Sequence, residues 1–252
     1  MKLDYILGES EKDLAPIFSS PMSSITLSSL WIMGILLFLS WPYTSLYRYL
    51  QDARIPWTFF STFAGALIII SYINIRCGLG EIIPNIVYAR LEREGVTTRE
   101  EERDYFSYGL PQTLIHTLTL LLLLLPFLIL AGAINGIPWR IFILGLSIIF
   151  SASLLCRQVA FLLLLIWGRW RLSGYLGARL FFCFFLFATG FFLPAINPLL
   201  LLFNLHFGQR LPLGPVIPSV VPYFTVIPAV ILVFSVFLQW VIFRKNRRRG
   251  LG

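Results

Sequence analysis

The chain is short of charge: of its 252 residues only 13% are Asp, Glu, Lys or Arg, against about 25% in an ordinary soluble domain. It lacks the polar side chains needed to cover a globular surface, so a soluble fold is excluded. With 58% hydrophobic and 16% aromatic residues and a mean hydropathy of +0.81, it reads as an integral membrane protein. Acid is missing in a lopsided way. All 12 carboxylates lie in residues 1–104, whereas residues 105–252 hold 11 bases and none. That excludes an aspartyl catalytic dyad from the second half. It also argues against a secondary transporter driven through a buried acid near the bilayer midplane.

Other catalytic equipment is equally scarce. The two histidines, His116 and His206, form no HExxH pair, which argues against a zinc protease. A Ser151/His116 pair is formally available, but nothing in the spacing favours it over an ordinary interhelical serine. Neither GxxxxGKS nor GxGxxG occurs, so the chain has no phosphate cradle of its own, and any ATP has to be handled by another subunit. The three cysteines, Cys77, Cys156 and Cys183, are scattered in or at the ends of apolar runs, which indicates buried thiols and neither a disulfide framework nor a metal site. Asp4, Glu9, Glu11 and Asp13 precede the first apolar stretch, so no cleaved secretory signal is expected.

What remains is apolar sequence long enough to cross a bilayer. About 30 Å of hydrocarbon needs roughly 20 apolar residues per helix, and six runs qualify: 24–42, 57–76, 113–134, 139–167, 174–196 and 223–243. The expected fold is therefore all-α, a single transmembrane domain of six spans. Pro194, Pro198, Pro212, Pro215, Pro218 and Pro222 interrupt residues 196–222, which read as a re-entrant, extracytoplasmic region. Sorting the 20 Lys and Arg by connection puts 15 on the side of the termini and 4 on the other, with Arg157 left inside the fourth run. The positive-inside rule then makes both termini cytoplasmic. Trp41, Tyr43, Trp57, Trp139, Trp167, Trp170, Tyr175, Tyr223 and Trp240 fall near run ends, as interfacial belts do. The basic tail reads as a stop-transfer anchor on anionic lipid before it reads as a nucleic-acid patch, so the +8 charge names lipids and no nucleic acid as partners.

The most polar stretch joins the second and third spans. Thr98 and Glu101 make a capping box, Glu100 and Glu102 add acid to the first turn, and Gly109 and Pro111 supply a stop. A short helix over 98–108 is expected on the cytoplasmic face, carrying Tyr105, Phe106 and Tyr108. It is either a solvated connector or a docking helix whose charged and aromatic surface fits a groove on a cytoplasmic partner. Inside the spans, Arg157 and Gln158 interrupt an apolar interior. The arginine reads as snorkelling or pairing between subunits, with substrate contact as the alternative. Asn74, His116 and Asn197 join Arg157 as candidates for lining a pathway.

Several of these residues resemble the membrane subunits of type-2 ABC exporters. In that family a Glu-Arg-Glu-x-Gly-Thr-like pattern follows the second span, then a coupling helix, a Leu-Pro-Leu-like end and a third span with a Pro-Phe step. Here stand Leu91-Glu92-Arg93-Glu94-Gly95-Val96-Thr97, Gly109-Leu110-Pro111 and Leu125-Pro126-Phe127-Leu128, and the PAINP of Pro194 to Pro198 is similar to the start of the family's re-entrant region. The likeness covers about residues 60–205. It implies an inner-membrane permease, acting as a dimer with a second permease copy. ATP and Mg would be bound by separate nucleotide-binding ATPase subunits, and this chain would bind no cofactor and catalyse nothing itself. The coupling segment, 90–111, would meet the ATPase through Glu92, Arg93, Glu94, Gly95, Glu100, Glu101, Asp104, Tyr105 and Phe106. The Phe-rich spans favour an amphipathic or lipid-linked cargo over a small ion. A non-transporting membrane scaffold that recruits a cytoplasmic partner is the alternative from a different class.

Overall fold

The computed structural model describes residues 20–40, 57–82, 105–167, 171–207 and 220–249. All regular elements among them are helical: α1 (Ser20–Leu39), α2 (Trp57–Gly78), a π-helical turn (Tyr105–Gly109), α3 (Leu110–Ile134), α4 (Trp139–Trp167), α5 (Arg171–Cys183), a second π-helical turn (Phe184–Ala188), α6 (Thr189–Phe192), a 3-10 turn (Pro194–Ile196), α7 (Pro198–Phe207) and α8 (Val220–Arg249). Five stretches are long and apolar enough to cross a membrane: α2, α3, α4, the run Leu172–Phe192 through α5 and α6, and Val220–Arg244 of α8. The chain is a multi-pass helical membrane protein. The sixth expected span, 24–42, has α1 at its position; within the described residues its apolar helix is Ser24–Leu39, and residues 41–42 lie outside them.

The bundle is built around α4. Its most apolar stretch is 83% buried, against 22% for the α5–α6 run and for α8, which turn most of their surface outward. Phe187, Phe191, Phe192, Leu232, Val233 and Phe237 lie on those outward faces, where a lipid-facing helix carries its large apolar side chains. The tightest seam is α2 on α4, and small residues make it possible. A Cβ on Gly78 would stand 2.6 Å from the Arg157 carbonyl oxygen and 2.9 Å from Ala160 Cβ, so only glycine permits that approach. Gly145 does the same under the ring of Phe63, 2.7 Å from where its Cβ would be. Ser71 and Ser153 share a hydrogen bond of 3.1 Å across the seam.

Two glycines in left-handed conformation end helices. At Gly80 (φ 72°) the Gly80 N–H bonds Cys77 O and the Glu81 N–H bonds Arg76 O, while at Gly136 (φ 59°) the partners are Ala133 O and Gly132 O. Both are Schellman closures, which satisfy the last carbonyls of α2 and α3. Past Gly136 the chain returns at once into α4, so α3 and α4 run antiparallel.

Gly109 and Pro111 do not stop a helix, contrary to the expectation from their residue types. Gly109 keeps helical angles (φ −68°, ψ −42°), and the π-helical turn Tyr105–Gly109 runs straight into α3 with Pro111 in its first turn. Proline has no N–H to give an α-turn, and its ring crowds the carbonyl four residues back. A wider turn relieves both problems. Of the expected helix over 98–108, residues 98–104 lie outside the described residues. Of the expected re-entrant stretch, residues 208–219 do as well. Its start is described: the 3-10 turn leads into α7, ten residues long or about 15 Å. There Leu201 and Leu202 are fully buried, and Phe203 meets Phe60 of α2 edge-on at 5.4 Å.

Candidate functional site

Polar side chains in an apolar bundle need partners, because lipid and packed hydrocarbon offer none. Most of those here collect at one end, where α2 and α4 finish, α3 begins and the basic end of α8 passes. Arg157 of α4, only 5% exposed, donates to His116 Nδ1 of α3 at 3.1 Å and, at 3.5 Å, to Asn74 Oδ1 of α2. Asn74 Oδ1 also accepts from Thr117 Oγ1 at 3.0 Å, and its amide nitrogen donates to Ile70 O at 3.1 Å. A guanidinium can only donate, so His116 accepts through Nδ1 and is the neutral tautomer carrying its proton on Nε2.

Three of the four pathway candidates thus come together in one cluster, on three different helices. Arg157 does not snorkel; its head is held inside the bundle. Asn197 is elsewhere. Its Oδ1 accepts the Leu200 N–H at 2.8 Å, capping α7, and its amide donates to Leu186 O and Thr189 Oγ1, both at 2.8 Å. That makes it the clasp between the second π-helical turn and α7. Ser151 pairs with the Tyr223 hydroxyl at 3.1 Å, and Tyr223 also donates to Ile148 O, so the formal Ser151/His116 pairing does not occur.

Tyr105 joins the cluster from outside the spans. It is 1% exposed, stacks on Phe161 at 6.0 Å, and donates its backbone N–H to Gln239 Oε1 of α8 at 2.8 Å. Its hydroxyl lies beside Gln158 and Ser235, which are themselves joined at 2.8 Å from Gln158 Nε2 to Ser235 Oγ. Burial pushes the Tyr105 phenol up to about 12, a rise only partly offset by Gln158, Arg157 and Ser235. Tyr105 was expected to present itself to a partner, but it faces inward and is a plug of the bundle. Phe106 does face outward, at 48% exposure. Glu92, Arg93, Glu94, Gly95, Glu100, Glu101 and Asp104 lie outside the described residues.

Glu81 is the one carboxylate among the described residues. It is held by Arg76 at 2.8 Å and reached by Arg179 at 3.9 Å. Arg157 therefore has no carboxylate partner among them. Between Tyr105, Gly109, Gln112, Thr113, Arg157 and Phe161 a small cleft opens beside the guanidinium. Among the described residues no group of three His, Cys, Asp or Glu gathers as for a metal. The sequence drew attention to Asn74, His116, Arg157 and Gln158 as polar residues in apolar runs. Gln112, Thr117, Ser235 and Gln239 escaped notice because a single amide or hydroxyl in a span is ordinary, and only the packing puts them on one side.

No protein-family model, curated protein or solved structure matches the chain.

Proposed function

We propose that the chain is the membrane-spanning subunit of an ATP-driven exporter of the type-2 ABC class, set in the bacterial inner membrane. In this reading α1 is the sixth crossing and both termini are cytoplasmic. Two permease copies form the pathway between them, and nucleotide-binding subunits carry ATP and Mg. The observation that supports it best is the seating of Tyr105. The polar connection between α2 and α3 is fixed at both its ends: Glu81 is held by Arg76 and Arg179, and Tyr105 is inserted among α4 and α8. A force on the acidic segment from Glu92 to Asp104 would reach three helices at once, which is what coupling to an ATPase demands. Phe106 and the acids at 100, 101, 102 and 104 would form the contact, with Tyr105 as the rigid end of the lever.

Tagged purification in mild detergent tests this. An ATPase subunit is expected at equal stoichiometry, lost when Glu101→Lys and Asp104→Lys are combined. Recovery of the chain without any ATPase from membranes that contain its full set of partners would sink the proposal.

A further inference from the structure

We propose that the cleft beside Arg157 is a binding site for one oxyanion, a phosphate or carboxylate group, presented from the membrane surface at the basic end of the bundle. Three observations converge there. A full positive charge is buried at 5% exposure on α4, and Glu81, the one carboxylate described, is engaged elsewhere. The guanidinium has five N–H groups in a fixed fork, yet among the described residues its hydrogen-bond partners are His116 and the distant Asn74, both neutral, which leaves donors and charge over within that set. Gln112, at 7% exposure, lines the same cleft, and its side-chain amide makes no hydrogen bond among the described residues.

The remaining lining fits the same ligand. Thr113 donates its hydroxyl to Gly109 O at 2.7 Å, which removes that carbonyl as a repelling acceptor. Phe161 and the Tyr105 ring close the cleft against lipid tails. The opening holds about one water-sized group, so it admits the tip of an anion and not a whole headgroup. Charge-assisted bonds from Arg157 to such an oxygen would replace what the neutral partners lack. Two sources carry this chemistry at a membrane surface, the phosphate of an anionic lipid and free phosphate. The inference concerns the single chain and does not depend on the transport reading.

Purified protein in nanodiscs separates these sources. Wild type is expected to melt roughly 2–4 °C higher in discs of a neutral, phosphate-free galactolipid doped with phosphatidylglycerol than in the galactolipid alone, and to retain phosphatidylglycerol in native mass spectrometry. Inorganic phosphate added to the neutral discs reproduces the shift if the site takes a free anion, and fails to if it takes the lipid headgroup. Gln112→Glu supplies the missing charge from within, so it should melt high in neutral discs and lose the response to either anion. Arg157→Gln should lose the response as well, and the glutamate variant keeps the test sound if the arginine variant does not fold. The site is refuted if wild type shows no shift with either anion. It is equally refuted if Gln112→Glu responds as wild type does, which would trace the effect to the basic tail.

Discussion

Tyr105 has the clearest reporter of its surroundings. Its phenol is held at about 12, above the ordinary value of 10, so the folded state keeps its proton where the unfolded chain has lost it. The associated stability is whole below pH 10 and drains away as the pH rises to about 12, a loss of about 2–3 kcal/mol. Alkaline melting of wild type and Tyr105→Phe should therefore diverge in that window, with the phenylalanine variant flatter. Asn74 accepts from both Thr117 and Arg157, so Asn74→Ala should cost about 1.5–3 kcal/mol because a charged donor is left short. Asn197→Ala removes a helix cap and two further buried hydrogen bonds, to Leu186 O and Thr189 Oγ1, and should cost about 2–3 kcal/mol. Thermal melts should show both alanine variants clearly below wild type, and an Asn197 variant that melts as wild type does would contradict the clasp.

Among the elements, hydropathy alone marks the helices well. The runs 57–76, 113–134, 139–167 and 223–243 lie within Trp57–Gly78, Leu110–Ile134, Trp139–Trp167 and Val220–Arg249, because burial in lipid selects composition along a whole helix. What composition does not carry is how turns are spent. Gly109 and Pro111 look like a stop, yet a single widened turn lets the helix continue, and the choice depends on Tyr105 having a place to go between α4 and α8. The candidate site was legible residue by residue and not as a site: nothing in the spacing of Asn74, His116 and Arg157 says that they meet. Glycine is informative for a related reason. At Gly136 it answers a local need, the left-handed closure of α3, and Gly136→Ala should cost about 1 kcal/mol. At Gly78 it answers a distant one, contact with the α4 backbone. Gly78→Leu should cost at least about 1–3 kcal/mol, since the Arg157 carbonyl cannot step aside. Comparing the Tm values of the two variants tests whether the α2–α4 seam outweighs the turn.

For the whole molecule, burial sorts the thiols. Cys77 and Cys156 are enclosed in the bundle, whereas Cys183 is exposed on the α5 face. A small apolar maleimide should modify Cys183 alone in the native protein and all three thiols after denaturation. Fast native labelling of Cys156 would show that α4 is not central. The distribution of basic residues predicts that reporters fused at both termini read the same side of the membrane, and that one placed at Asn135–Gly136 reads the opposite side.

The position of Arg157 also bears on how the protein is made. A ribosome delivers α2 and α3 before α4, so Asn74 and His116 are already in the membrane when the arginine arrives. A helix that would be a poor passenger alone enters beside a prepared receptor, and only afterwards does α8 arrive to close Gln158 with Ser235. Chain order here doubles as an assembly schedule. A permuted chain that placed α4 ahead of α2 would leave that charge facing acyl chains during synthesis, and such a chain is expected to be degraded and not inserted.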